Sequence, residues 1–222
     1  MGSLPRQAAT RAAPTPRRPL SPAAVSRRLV RVDPAFGDVA RAAGPFAPRP
    51  PAGDAFSALA RAIAYQQLAG RAAAAIHGRF LALFGSDPPT PGALLATPLE
   101  TLRGCGLSGA KAAALLDLAG KFSDGTIPAG RLAAMPDDEV IARLSAVRGV
   151  GRWTAEMFLL FDLRRPDVWP VDDYGVRKGW RLIHGLDAMP TPRQLTALGE
   201  PLAPHRSAAA WYCWRAVDTL TP

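Results

Sequence analysis

From residue 54 onward, apolar positions recur at helical spacing in block after block, and polar or proline residues between the blocks mark where each starts and stops. Asp54 reads as an N-cap after Pro50-Pro51-Ala52-Gly53, and Phe56, Leu59 and Ile63 set one apolar face. An Ala-rich helix is predicted from Ala72 to Phe84, with Ile76, Phe80, Leu83 and Phe84 inward. Pro88 to Pro91 breaks the chain, Pro98 starts a helix through Leu102, and Ser108 opens a long one to Phe122. Over residues 137–162, Val140, Ile141, Leu144 and Val147 form one stripe and Trp153, Met157, Leu160 and Phe161 a second. Val176, Trp180 and Ile183 follow, then Leu195 to Leu202 after Thr191-Pro192, and a last helix from His205 to Leu220 that holds Trp211, Tyr212 and Trp214. No segment alternates apolar and polar residues between turn signals, so no sheet is expected. The pattern predicts an all-α chain: a two-lobed helical bundle with a cleft between the lobes.

The N-terminus departs from this pattern. Residues 1–24 are rich in Pro, Ala and Arg without an apolar period and are expected to be disordered; residues 25–222 form the folded body, with a short helix and loop over Val25 to Ala43 docking through Leu29, Val30 and Val32. The chain carries 27 Lys and Arg against 18 Asp and Glu, a formal charge of +9. Seven of those arginines lie within residues 1–31, where there is no acid, so the rest is close to neutral. Charge alone therefore does not identify a polyanion partner. The tail reads as a solvated segment, a DNA-tethering arm or an organellar address. Cys105 and Cys213 are too few for a disulfide framework, and no run is apolar enough to cross a membrane.

Candidate chemistry concentrates in two stretches. Gly149-Val150-Gly151 interrupts the stripes of 137–162 within a few residues, giving helix, tight hairpin, helix. The second helix then begins with unpaired backbone N–H groups and the positive end of its dipole, unobstructed by glycine side chains. That corner suits a phosphate, although a plain helical corner looks the same. About twenty residues later, Asp172-Asp173 stands at another helix start, after Pro170. Gln66 and Gln67 continue the apolar face of the helix after Asp54, where buried amides would cost about 1–3 kcal/mol each. Either the helix ends there in solvent, or Tyr65-Gln66-Gln67-Leu68 faces a ligand.

Leu144-x-x-Val147-x-Gly149-Val150-Gly151-x-Trp153-Thr154-Ala155, followed by Val171-Asp172-Asp173-Tyr174, resembles the helix-hairpin-helix, Gly/Pro-rich loop and aspartate signature of base-excision DNA glycosylases. Within that superfamily it is most similar to the DNA-3-methyladenine glycosylase II branch, over about Asp54 to Thr219. The resemblance implies a monofunctional glycosylase that flips an alkylated purine, 3-methyladenine or 7-methylguanine, out of double-stranded DNA and hydrolyses its N-glycosidic bond. Asp173 is then the catalytic carboxylate and Asp172 the N-cap of the helix that presents it. Trp153, Trp214, Tyr174, Met157 and Gln66 form the base pocket, with Met157 where some relatives place a tyrosine.

Gln67 best matches the wedge inserted into the minor groove, with Leu68 next; Arg148, Gly149, Val150, Gly151 and Arg152 meet the DNA backbone, and Lys111 is a further candidate phosphate contact. The backbone carbonyls of Ser145, Val147 and Val150 match those that hold a sodium or potassium ion at the hairpin when DNA is bound. No other cofactor is required, and two cysteines cannot supply the four-cysteine iron–sulfur cluster of some relatives. The lysine nucleophile of glycosylases with lyase activity is replaced by Trp153. A monomer acting in the cytoplasm or nucleoid, or in the nucleus of a eukaryote, is expected. The rival readings are excision of another lesion, such as hypoxanthine or uracil, and a non-catalytic helix-hairpin-helix DNA-binding protein. The latter has no use for an acid at 173 facing a cleft, so convergence of Asp173, Trp153 and Trp214 discriminates between them.

Overall fold

The computed structural model describes residues 20–51, 53–68 and 70–220, and every regular element among them is helical. The tail expected over residues 1–24 lies outside the described residues up to residue 19. Its end is helical: Ser21 Oγ accepts the Ala24 N–H (3.3 Å), Pro22 fills the first position, and α1 runs Pro22–Val32. A short 3₁₀ turn leads into α2 (Gly37–Ala43). Leu29 docks as expected, whereas Val32, in the last turn, is left 44% exposed.

One lobe gathers around a single long helix. α3 (Ala55–Tyr65), α5 (Pro91–Leu95) and α6 (Leu99–Gly104) all pack on α7 (Gly109–Ser123), and α4 (Gly70–Ala82) packs on α3. Asp54 caps α3 as expected, accepting the Ser57 N–H at 2.9 Å. The helix expected to reach Phe84 stops at Ala82, because the next bonds tighten to Leu83 N–H onto Phe80 and Phe84 N–H onto Leu81. That tightening swings Leu83 outward to 42% exposure. The hairpin pair α8 (Asp137–Ser145) and α9 (Arg152–Phe161) pack on each other, and α9 also meets α3.

The second lobe joins α1 and α2 to α10 (Tyr174–Ile183), α11 (Pro192–Gly199) and α12 (Arg206–Leu220). Its core holds a satisfied polar knot: the fully buried Tyr212 hydroxyl lies 2.7 Å from Ser26 Oγ and 2.8 Å from the Gly44 carbonyl, and Ser26 accepts the Phe46 N–H. Trp169 and Trp180 are buried in the core, Trp180 as its place in the Val176, Trp180, Ile183 stripe implies.

α10 and α12 approach so closely that a Cβ on Gly179 would stand 2.0 Å from the Cys213 carbonyl oxygen. This contact sets Trp214 beside the start of α10. Gly179→Ala is therefore expected to lower stability by more than about 2 kcal/mol, at the upper end of ordinary overpacking. Gly78 of α4 has open space around it, and Gly78→Ala should stabilise by about 0.5–1 kcal/mol. Chemical denaturation of the two variants checks both signs, and equal small effects would refute the close approach.

Candidate active site

Tight turns deliver the acid. Val171 N–H bonds to the Trp169 carbonyl and Asp173 N–H to the Pro170 carbonyl, and α10 then starts with Asp173 as its N-cap. Asp173 Oδ1 accepts the Val176 N–H at 2.7 Å. The cap is thus Asp173 itself and not Asp172, which is exposed; the turn closing on Pro170 places the helix start one residue later than the sequence suggested.

Two indoles converge on the same carboxylate. Trp214 of α12 donates its Nε1–H to Oδ1 at 2.9 Å, and Trp153 of α9 donates to Oδ2 at 2.6 Å. A carboxylate offers about four acceptor positions, so these three N–H groups leave one, on Oδ2. Asp173 is only 9% exposed. Gly175 explains how Trp214 reaches it, since a Cβ there would stand 2.8 Å from Trp214 Cδ1.

Asp173, Trp153 and Trp214 line one cleft between the lobes, of about 650 Å³, together with Gln66, Gln67, Gly149 and Met157. That volume is in the range of small-ligand sites. Sequence reasoning missed several of its walls. Phe161 stacks on Trp214 with centroids 5.6 Å apart, and the Arg49 guanidinium lies over Phe161 at 4.7 Å and 3.8 Å from Asp162. Arg61 lies over Tyr65 at 4.4 Å. Phe161 was visible in the α9 stripe; Arg49, in a proline-rich stretch without period, gave no signal. Beneath α9, burial pushes the Glu156 carboxyl up, Arg152 pulls it back, and the charges of Asp172 and Asp173 add to the rise.

Tyr174 is not in the base pocket. It is 64% exposed and shares a separate, smaller hollow with Lys178, Arg181, Asp187 and Met189, because the residue after an N-cap already turns with the helix, away from the cap's carboxylate. Lys111 is likewise not presented as a free phosphate contact: its ammonium donates to the Ala64 carbonyl at 2.9 Å, on the last turn of α3.

The hairpin has the form expected of a phosphate corner. Gly149 has φ +72°, which glycine adopts without strain, and its carbonyl accepts Gln66 Nε2–H at 3.1 Å. Gly151 has an ordinary φ of −94°; nothing stands where its Cβ would be, and no side chain caps α9. The first N–H groups of α9 are therefore left without a side-chain cap. Arg148 is exposed, with its backbone N–H on Asp117 Oδ2 at 2.7 Å, while Arg152 pairs with the buried Glu156. The Val147 carbonyl closes the turn by accepting the Val150 N–H at 3.0 Å. Gln67 has φ +55°, in the left-handed region that few non-glycine residues enter, and both Gln67 and Leu68 are exposed.

Residues 60–204 match the model of the HhH-GPD superfamily base excision DNA repair proteins. The chain is 40% identical over 162 residues to DNA-3-methyladenine glycosylase 1 of Schizosaccharomyces pombe, covering 72% of this chain and 71% of that one. It is 30% identical over 193 residues to the alkylbase DNA glycosidase-like protein mag2 of the same yeast, covering 85% and 91%. The solved S. pombe 3-methyladenine DNA glycosylase in complex with abasic DNA superposes with a TM-score of 0.79 at 34% identity, over 87% of this chain and 96% of that one. With the hairpin, the aspartate and the two indoles in one cleft, the chain belongs to the HhH-GPD superfamily of base excision DNA repair proteins.

Proposed function

We propose that this protein is a monofunctional DNA glycosylase that excises alkylated purines, 3-methyladenine and 7-methylguanine, from double-stranded DNA as a monomer. The observation that carries the reading is the buried Asp173 carboxylate, oriented by three N–H donors at the edge of an aromatic cleft. N3- or N7-alkylation makes the purine cationic and a good leaving group. When the C1′–N bond breaks, its electron pair neutralises the departing base and positive charge develops on the sugar. A fixed carboxylate near C1′ in a site screened from water stabilises that charge. The open acceptor position on Oδ2 suits an attacking water: its oxygen forms the new bond to C1′ and its proton passes to the carboxylate or solvent.

The cleft also supports hydrolysis without strand cleavage. No lysine lines it among the described residues, and by the family resemblance Trp153 takes the position of the lyase lysine. The Trp153 and Trp214 faces suit an electron-poor base, by stacking and cation–π attraction of roughly 0.5–2 kcal/mol per ring. The α9 corner suits the flanking phosphate, and Gln67 and Leu68 suit the space the flipped nucleotide vacates. The carbonyls of Ser145, Val147 and Val150 offer the hard oxygen donors a sodium or potassium ion takes, and such an ion would add positive charge beside that phosphate.

Asp173→Asn keeps a cap for α10 and removes the charge. It should reduce base release from randomly methylated duplex DNA by at least about a hundredfold, the scale of losing a transition-state electrostatic contact. Abasic-site DNA should still bind within a few-fold of wild type, and full activity of the variant would sink the assignment. With wild type, released 3-methyladenine and 7-methylguanine should precede strand breaks, which appear only after alkali.

Gly151→Val tests the corner separately, since the glycine has an ordinary φ and open space around it. Its melting temperature should hold while affinity for abasic DNA falls by about tenfold or more, the loss of about 1.4 kcal/mol of contact. Unchanged affinity would remove Gly151 from the DNA interface.

A further inference from the structure

α7 touches both elements that the proposed function assigns to DNA, although nothing in that function calls on it. Lys111, Ala114 and Asp117 recur every three residues and so share one face of the helix. At one end of the face, Lys111 Nζ donates to the Ala64 carbonyl, placing a cation on the C-terminal turn of α3 two residues before Gln66. Burial lowers the pKa of this ammonium. In the middle, the Cβ of Ala114 lies 3.7 Å from where a Cβ on Gly149 would stand, so helix and hairpin glycine are in contact. At the other end, Asp117 Oδ2 accepts the Arg148 N–H at 2.7 Å while Oδ1 accepts Lys121 Nζ at 2.6 Å. Burial pushes the Asp117 carboxyl up, but the Lys121 and Arg148 hydrogen bonds and charges outweigh it and hold it low.

The circuit closes directly. Gln66 Nε2–H bonds to the Gly149 carbonyl, so residues 64–66 and 148–149 are tied to each other and each to α7. Between these ties and α4 sits Gln67, an exposed residue in a left-handed conformation that costs about 1–3 kcal/mol and persists only where its surroundings impose it. We infer that Lys111 and Asp117 are positioning residues: through α7 they hold the wedge at Gln67–Leu68 at a fixed offset from the phosphate corner at Gly149–Gly151, so that anchoring a phosphate drives the wedge into the stack. Neither side chain needs to touch DNA. The inference rests on the glycosylase reading for what is extruded, but the coupling is a property of this chain.

The test uses the full chain with Lys111→Met, which keeps the stem and removes the ammonium, Asp117→Ala, and Asp117→Asn, which retains an acceptor for the Arg148 N–H. Three readouts are taken: single-turnover excision of a methylated purine from a fully paired duplex and from one in which it faces an abasic site, fluorescence of 2-aminopurine extruded on binding, and affinity for abasic-site DNA. Lys111→Met should slow excision from the paired duplex by about tenfold and from the duplex with the opposing abasic site by less than about twofold, because there the pairing that resists extrusion is already gone. Its 2-aminopurine signal should fall on the paired duplex only. Asp117→Ala should weaken abasic-DNA binding, and Asp117→Asn should restore most of it.

Equal slowing on both duplexes, or none on either, overturns the inference, as does failure of Asp117→Asn to restore binding. A wild type that releases no base defeats the glycosylase reading instead, and the fluorescence still decides the coupling. A variant that extrudes 2-aminopurine like wild type then overturns it.

Discussion

The Asp173 carboxylate is where the two lobes meet. One anion receives the first turn of α10, the indole of α9 on the hairpin side and the indole of α12 on the other. Hydrogen bonds to a charged group are worth about 1.5–3 kcal/mol each, and leaving such an anion buried without them would cost more than any one returns. Much else follows from satisfying it. Gly175 must be small so that Trp214 can lie across the start of α10, and Gly179 must be small so that α12 can come close enough to bring it there. The acid that the chemistry needs is also the group around which the cleft is assembled.

That arrangement decides which cleft surfaces remain for a base. Phe161 is covered by Trp214 and by the Arg49 guanidinium, Tyr65 by Arg61, and Phe158 is buried, so three of the five aromatic rings lining the cleft are already engaged by the chain's own groups. Arg49 also lies near Asp162. The two arginines of the cleft thus have partners within it. In the proposed function, Trp153, nearly half exposed, is the ring most open to a flat, positively charged base, and Trp214, one face of which stacks on Phe161, is fixed beside it by its bond to Asp173.

The helices, the hairpin and the acid were legible in the sequence because each leaves a local trace: a 3.6-residue period, a glycine pair between two stripes, an aspartate after a proline. Direction was less legible. Tyr174 sits next to Asp173 in sequence, yet one step along a helix turns a side chain by about 100°, which takes it out of the cleft. The choice between Asp172 and Asp173 as cap depended on where one turn closed, a matter of a single residue. Lys111 and Asp117 had no local trace, because their partners lie 47 and 31 residues away. Arg49 reaches the cleft from a segment with no periodicity.

The charge distribution explains why this geometry matters more than the total. Four of the 27 basic residues precede residue 20, so the body from residue 20 onward carries 23 Lys and Arg against 18 Asp and Glu, a modest net charge with which to hold DNA. In the proposed function its anchor is instead a set of α9 N–H groups that no side chain caps, beside a Gly149 whose carbonyl is held by Gln66 and whose neighbour Arg148 is held by Asp117. Backbone donors, unlike a cloud of lysines, accept a phosphate only at a defined place and angle. A wedge tied to the same helix as that anchor is placed as soon as the phosphate is. On the proposed coupling, binding energy gained at the corner is available to meet the cost of unstacking a nucleotide, at a place that a diffuse surface charge does not define.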